Sequence, residues 1–524
     1  MTNDRGVTAT ELRYAIALTV APKDLARLKR LDFLQHGHFA PHLVTSTYYD
    51  TPDLALKDRA LALSVRQHGR QLVETLEGVD RFGGGTAETP VWQTPVTRAA
   101  PDLAPLAKIE AVREIAEAKP RLRPLFTCQL RRTRTVFEPE GAAVALSFDE
   151  GMIRTRDGRK LAVLEVELQL EQGGYQAVFD LARALSTAAS MRVELRSTAA
   201  RGYELAARKD AAEPPATVRY GRVRLDRRMS AEEALAAILR RCLAHMLVND
   251  QAARVGEEEG VHQMRVALRR LRVALNLFHK LLPEEQRAWI LGEVRWLTDR
   301  LGKARNWDVF GILVARVRDA FPEDDDIKML AQAINHERRG AYGALRKVLA
   351  SRRYTQFSLG LMSIIETRAW RRPGALETSI LQVSRLGHLA DSLIEERYRK
   401  ARKRAKQFVR LGAQGRHKLR IALKKMRYAA DSFEAIYGRK QVRKYEKRLE
   451  ALQDDLGLLN DIVTAEKLIR SLPKPTEKAV AIDRAAALVR GWCGHLAAAC
   501  EPRLDKRLKR FRAAKPFWRR PAKA

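Results

Sequence analysis

The sequence predicts an α+β chain of two domains, an N-terminal antiparallel β-barrel followed by an all-α domain. Three observations carry that prediction. Short runs rich in Val, Leu and Thr, several alternating in polarity, crowd the first 210 residues. Helical periodicity then takes over and holds nearly to the C-terminus. A single stretch of this helical region occurs twice, as HQMRVALRRLRVALNLF (His262 to Phe278) and HKLRIALKKMRYAADSF (His417 to Phe433). A repeat of that quality outranks any single motif as evidence of architecture.

Charge follows the same division. The formal net charge of the 524 residues is +34. Residues 1–210 hold 30 Lys and Arg against 27 Asp and Glu, a net of +3. Residues 211–524 hold 67 against 36, a net of +31, so a polyanionic partner belongs to the helical region. The four cysteines show no CxxC spacing, which points to neither zinc nor a disulfide framework but to a reducing compartment. The opening MTNDRGVTAT lacks an apolar signal core and no run reaches the length of a membrane span, so the expected location is cytoplasmic.

In chain order, ELRYAIALTV, ALALSVRQ, QLVETLEG, AAVALSFDE and LAVLEVELQL read as strands. Helical patterns interrupt them near Pro22–Leu31 and Gln176–Ala189. Charged residues alternating onto an inward face suit an antiparallel barrel with a polar lumen.

The run YYDTPDLALKDRALALSVRQ (48–67), with VETLEG, FTCQLRRTRTVF, SFDEG, EVELQLEQGG and STAARGYEL after it in order, resembles the CYTH domain of triphosphate tunnel enzymes. The resemblance implies a tunnel in which Lys and Arg hold a triphosphate and Glu residues hold Mg²⁺ or Mn²⁺. This chain departs at the positions that matter. Arg13, Ala15 and Ala17 stand where the family has ExExK, Glu77 and Thr198 replace lysines, and Gln169 replaces the last carboxylate of ExExE. Arg66, Arg131, Arg132, Glu165, Glu167 and Arg201 remain as residual tunnel residues, beside Asp149. The expectation is a degenerate tunnel with no catalytic residues and no bound metal.

Residues 210–226 read as a linker, with two prolines and no apolar periodicity, between a first domain at 1–209 and a helical domain at 227–515. Ser230 opens the first helix as an N-cap with carboxylates behind it. Breaks near Pro283, Pro322, Pro373, Gly412–Gly415, Gly438 and Pro473 divide the remainder into eight or more helices.

Helical geometry sorts each repeat into two stripes. Met264, Leu268, Leu271, Leu275 and Phe278 form an apolar one, beside a cationic one of His262, Arg265, Arg269 and Arg272. The second copy places Leu419, Leu423, Met426, Ala430 and Phe433 against His417, Arg420, Lys424 and Arg427. Arg270 aligns with Lys425. A solvated charged face usually interleaves Glu with Lys or Arg. Here no Asp or Glu occurs between Gly260 and Pro283, nor from Arg397 to Ala430, a stretch with 14 Lys or Arg in 34 residues. Like charges so placed repel one another unless an anion sits among them.

EGVHQMRVALRRLRVALNLF (259–278) resembles the signature of the CHAD domain. The repeat also continues downstream, where LGKARNWDV (301–309) echoes LGLLNDIV (456–463) and pairs Gly302 with Gly457, Arg305 with Asn460 and Asn306 with Asp461. The expected object is two four-helix bundles related by a pseudo-twofold axis, their basic stripes meeting in one groove. The resemblance implies inorganic polyphosphate as partner, and association with polyphosphate or polyhydroxyalkanoate granules in a bacterial cytoplasm. Arg399, Lys400 and Arg404 of RYRKARKRAKQFVR join the stripe residues as candidate contacts. KQVRKYEKR (440–448) contains an acid and reads as a solvated face.

His262 and His417 head their stripes as packed residues or as extra cations beside an anion. The tail PRLDKRLKRFRAAKPFWRRPAKA (502–524), ending in a basic segment at 516–524, mixes Arg and Lys with Phe511, Phe517 and Trp518 and reads as frayed, as a further polyanion contact or as a membrane-surface anchor. Few aromatic residues lie among the basic helices, which argues against a stacking nucleic-acid binder. The alternative function is a metal-dependent inorganic triphosphatase that uses the tunnel, with the helical domain supplying substrate.

Overall fold

A computed structural model of the chain describes residues 8–31, 40–79, 88–118, 120–208, 210, 213–371, 376–408, 412–473 and 475–519. They fall into two compact units, 1–215 with 350–369 and 216–349 with 370–524.

The first unit is a nine-stranded antiparallel sheet: β1 (Thr8–Val20), β2 (Ala40–Asp50), β3 (Leu61–His68), β4 (Gln71–Gly78), β5 (Glu88–Val96), β6 (Arg123–Phe137), β7 (Ala143–Thr155), β8 (Lys160–Gln172) and β9 (Met191–Glu194). The strand order is β5-β4-β3-β2-β6-β7-β8-β1-β9, and the first half of β1 also pairs with β5. Each run expected as a strand lies in one. Short helices attach to this wall: α1 (Pro22–Leu28), α2 (Tyr175–Ala188) and α3 (Thr198–Ala207), the last capped by the Ser197 hydroxyl. Arg201 therefore rides on a helix rather than on one of the strands.

The second unit is helical. It contains α4 (Ala231–Val248), α5 (Glu258–Leu277), α6 (Glu284–Ala320) and α7 (Asp325–Leu349). After α8 (Arg352–Glu366), which belongs to the first unit, it continues as α9 (Leu386–Lys406), α10 (Ala413–Ser432), α11 (Arg439–Ser471) and α12 (Ala479–Ala513). Ser230 caps α4 as expected, in a reciprocal box with Glu233. The predicted breaks fall at helix ends, except Pro373, which lies outside the described residues.

Consecutive helices pack in each set of four, and helices at equivalent positions of the repeat touch: α5 with α10, α6 with α11, α7 with α12. Both predicted apolar stripes are buried throughout, and the equivalent Phe278 and Phe433 meet edge to face at 6.1 Å. Residues from both sets, among them Val314, Ile334, Ile469 and Val489, share one core.

Two local expectations are corrected. The stretch read as a linker is docked: Tyr220 lies over the Arg270 guanidinium at 3.9 Å, and Asn249 hydrogen-bonds both the N–H and the carbonyl of Val218. The tail aromatics are core residues, with Phe517 and Trp518 buried and the Trp518 indole donating to Glu395 at 2.9 Å. They are neither frayed nor a membrane anchor; residues 520–524 lie outside the described residues. Among the described residues no helix is long and apolar enough to cross a membrane.

Finally, α8 packs on α2 and β9 of the sheet unit, where the Thr355 hydroxyl donates to the Met191 carbonyl. Tyr354, Phe357, Leu359, Leu361, Met362 and Ile365 are all buried, as are Thr355, Ser358 and Ser363, so this helix is enclosed on most of its sides beyond its first turn.

Candidate functional site

The cationic stripes of α5 and α10 face one another. Arg269 donates to the Tyr428 hydroxyl at 2.9 Å, across 159 positions of sequence. Arg265 donates to the Thr298 carbonyl on α6 at 3.0 Å and borders, with Arg420, a cavity of about 810 Å³. The charges perturb each other strongly. The Lys424 ammonium is pushed down to about 6, by burial first and then by Arg269, Arg420 and Arg427, with Asp461 opposing. Arg265 is pushed down to about 10 by burial, Arg269, Arg305 and Arg420. Arg420 shifts the same way, through burial and Arg269 against the pull of Asp461. His262 is lowered by burial, Arg305, Arg269 and Arg265, with Glu259 opposing. Burial would raise the Tyr428 phenol, yet Arg269 and Arg427 bring it below its ordinary value.

Cations from both repeats therefore create a common positive potential. Arg305 adds to it and Asp461 opposes it, although neither lies on the two stripes that the helical spacing picks out. Their signal in the sequence is the downstream repeat that pairs Arg305 with Asn460 and Asn306 with Asp461.

The other candidates divide. Arg272 is exposed on the α5 stripe, lowered by burial, Arg269 and Arg295. Lys425 is lowered by burial, Arg397, Arg272, Arg404 and Lys400, which places it in a neighbouring patch of like charge. His417 is exposed and holds Asn460 through Nδ1 at 3.0 Å. Arg404 donates to the Lys418 carbonyl at 3.1 Å.

Four expected contacts have counter-charges of their own. Arg270 pairs with Asp431 and is covered by Tyr220 and Tyr428. Arg427 pairs with Glu450 at 3.1 Å. On α9, Arg399 pairs with Glu395 at 2.9 Å and Lys400 with Glu396, one turn back. Those two glutamates lie just before the acid-free window that begins at Arg397, which is why that window overstated the charge imbalance.

In the sheet unit a cavity of about 290 Å³ is lined by Arg66, Arg132 and Arg134 together with Glu77 and Glu167. Ala15, Gln169 and Thr198, three of the family replacements, line it as well. Arg132 grips Asp149 with two hydrogen bonds, 2.7 and 2.6 Å, and lies 3.6 Å from Glu167. Burial opposes the charge on Arg132, but Glu167 and Asp149 outweigh it and hold the guanidinium protonated. Arg201 and Glu165, both buried, pair at 2.7 Å. Arg131 is exposed: strand alternation sends it to the face opposite Arg132, so the two cannot both face the cavity.

The carboxylates here do not fit a divalent metal. Glu165 and Glu167 are engaged by arginines, and Ala15 and Ala17 stand across from Gln169 and Glu167 in the β1–β8 register. Among the described residues no group of three or more His, Cys, Asp or Glu is arranged to hold an ion. The Cys128 thiol, pushed up to about 12 by burial, is no nucleophile.

Comparison with known proteins matches the CYTH domain profile over residues 8–203 and the CHAD domain profile over 237–470. The chain is a CYTH–CHAD protein. Among solved structures, the CHAD domain from the plant Ricinus communis is 31% identical, with 57% of this chain and 98% of that one covered and a TM-score of 0.47. The inorganic triphosphatase of Haemophilus influenzae is 25% identical over 200 residues, 38% of this chain and 55% of that protein. An uncharacterized Mycobacterium tuberculosis protein is 28% identical over 237 residues, 43% of each chain. This CYTH–CHAD chain thus spans about half the length of the curated relatives it matches.

Proposed function

We propose that the CHAD unit of this chain binds inorganic polyphosphate in the groove between α5 and α10. The observation that carries the reading is the meeting of cations from both repeats: Arg269 of α5 reaches Tyr428 of α10, Arg269 and Arg420 bear on Lys424, and Arg269, Arg305 and Arg420 bear on Arg265. Such a cluster disfavours its own charged form and is relieved by an anion. Equivalent-helix contacts support a pseudo-twofold arrangement of two four-helix sets, which presents two matched stripes to one extended ligand. Polyphosphate offers a charge on each unit and no base edges. Arginine forks hold two phosphate oxygens at once and lysine adjusts as a point charge. Helix residues one turn apart are 5.4 Å apart along the axis, within reach of successive or near-neighbour phosphates. On this reading the protein associates with polyphosphate-bearing granules, polyhydroxyalkanoate granules among them.

Competition of long-chain polyphosphate against duplex and single-stranded DNA, at a stated physiological salt, tests it. Polyphosphate should displace both at equal phosphate concentration. Equal or tighter DNA binding would assign the groove to general polyanion attraction.

A second reading is favoured by the triphosphatase relative and by the Arg66, Arg132 and Arg134 lining. The pairing of β5 with both β4 and β1 supports a tunnel wall. Hydrolysis there would require Glu165 and Glu167 to leave their arginines. Phosphate release from triphosphate with Mg²⁺ or Mn²⁺ should therefore be negligible. Steady turnover abolished by Glu165→Gln and Glu167→Gln would promote this reading over the first.

A further inference from the structure

We propose that the cavity beside the second repeat, between α10, α11 and α12, which shares Arg265 and Arg420 with the groove, also takes a soluble phosphate monoester carrying a short aliphatic chain. Arg265, His417 and Arg420 border the cavity of about 810 Å³, while Leu456, Leu459 and Val463 of α11 supply an apolar wall. Small-molecule sites span roughly 300–1,000 Å³ and combine apolar walls with a few convergent polar groups. Inorganic polyphosphate has no apolar part to cover that wall, and Val463 is left 47% exposed. Aliphatic lining suits an alkyl chain better than a flat base, which needs an aromatic face.

The repeat itself supplies the control. Val463 aligns with Asp308 in the first copy, where the carboxylate is buried against Arg338 at 2.8 Å and Tyr342 at 2.9 Å. Leu459 aligns with the smaller Ala304. A Cβ on Gly302 would stand 2.9 Å from the Arg265 guanidinium, whereas one on the equivalent Gly457 would meet nothing within 4 Å. At Asp308 and beside Gly302 the first copy is thus filled by charged groups, where the second is apolar at Val463 and open beside Gly457. Arg420, at the edge of this opening, has a buried Nε with no hydrogen-bond partner among the described residues.

The proposal rests on the anion-binding reading for the roles of Arg265 and Arg420. Its test is calorimetric titration of the full chain with hexyl phosphate, inorganic phosphate and long-chain polyphosphate in one buffer. Each fully buried methylene is worth roughly fourfold in affinity. Hexyl phosphate should therefore bind at least about tenfold tighter than inorganic phosphate. Val463→Asn and Leu459→Asn should bring that ratio near one, while Val463→Leu preserves it; the ratio cancels general charge effects. Hexyl phosphate no tighter than inorganic phosphate, with polyphosphate still bound, overturns this site and leaves the groove reading standing. Preference for hexyl phosphate without polyphosphate binding overturns the groove and supports the site. Capture on phosphatidate vesicles without hexyl phosphate binding overturns the soluble ligand in favour of a lipid surface.

Discussion

In the sheet unit, Arg132 and Arg201 face carboxylates of the same wall; in the helical unit, Arg265, Arg269, Arg420 and Lys424 face one another. Both regions are rich in arginine, but in one each of these cations has a carboxylate partner inside the fold, while in the other, among the described residues, Asp461 alone opposes several crowded cations. An arginine with an internal partner holds structure together. A cation surrounded by cations weakens the empty fold, and that arrangement suits a ligand that brings the missing charge. Net charge alone does not separate the two cases; the placement of acids does.

The largest effect should come from reversing the groove. Arg265→Glu, Arg269→Glu, Arg420→Glu and Lys424→Glu together remove four contacts of roughly 1.5–3 kcal/mol each and install repulsion. Polyphosphate affinity should fall on the order of 10³-fold or more, with a flatter dependence of log K on log salt. The same four reversals at the exposed Lys440, Arg443, Lys444 and Lys447 change the formal charge equally. They should cost about tenfold or less, because screening acts beyond roughly 8 Å. Equal losses with equal slopes would break the comparison.

A smaller effect, opposite in sign between the units, is expected in stability. Arg201→Met removes the counter-charge from buried Glu165 and should destabilise by about 3–5 kcal/mol, most of it recovered by adding Glu165→Leu. Lys424→Met should instead stabilise the empty protein by about 1 kcal/mol, since it relieves like-charge crowding. Chemical denaturation of the full chain measures both. If Lys424→Met destabilises as Arg201→Met does, the two clusters are alike.

The subtlest expectation concerns pH. Folding lowers Lys424 from 10.5 to about 6, so between those values the unfolded chain holds the proton that the folded chain lacks. The contribution of this lysine to stability should therefore rise with pH across that window. Polyphosphate binding restores the proton, so affinity should weaken as pH rises from about 6. Calorimetry near pH 7.5, in buffers of different ionisation enthalpy, should show up to about one proton taken up per binding event. Lys424→Met should abolish that uptake; uptake unchanged in the variant would remove Lys424 from the groove.

Much of this was legible in one dimension. Stripes at spacings of three and four placed Met264, Leu268 and Leu271 in the core and Arg265 and Arg269 beside it, because helical geometry is local. The doubled HxxR stretch announced a second stripe, and the family replacements at Ala15 and Gln169 announced a changed tunnel lining. Strand alternation, also local, could have separated Arg131 from Arg132.

The order of residues alone was enough for the pattern: two regions, a repeated helix, and a charge excess confined to the second region. Which charges pair came only with tertiary structure. Arg270 looks like Arg269 in sequence, yet it finds Asp431 from the other repeat while Arg269 finds a tyrosine hydroxyl. Helix α8 lies among CHAD-region residues in the chain but packs with the sheet unit, so a fragment cut near residue 223 would carry its buried Phe357 and Leu361 without their neighbours. The reason is physical. Periodicity sets which face a side chain occupies, but the energy of a charge depends on what stands within a few ångströms, and those neighbours arrive from distant segments of the chain.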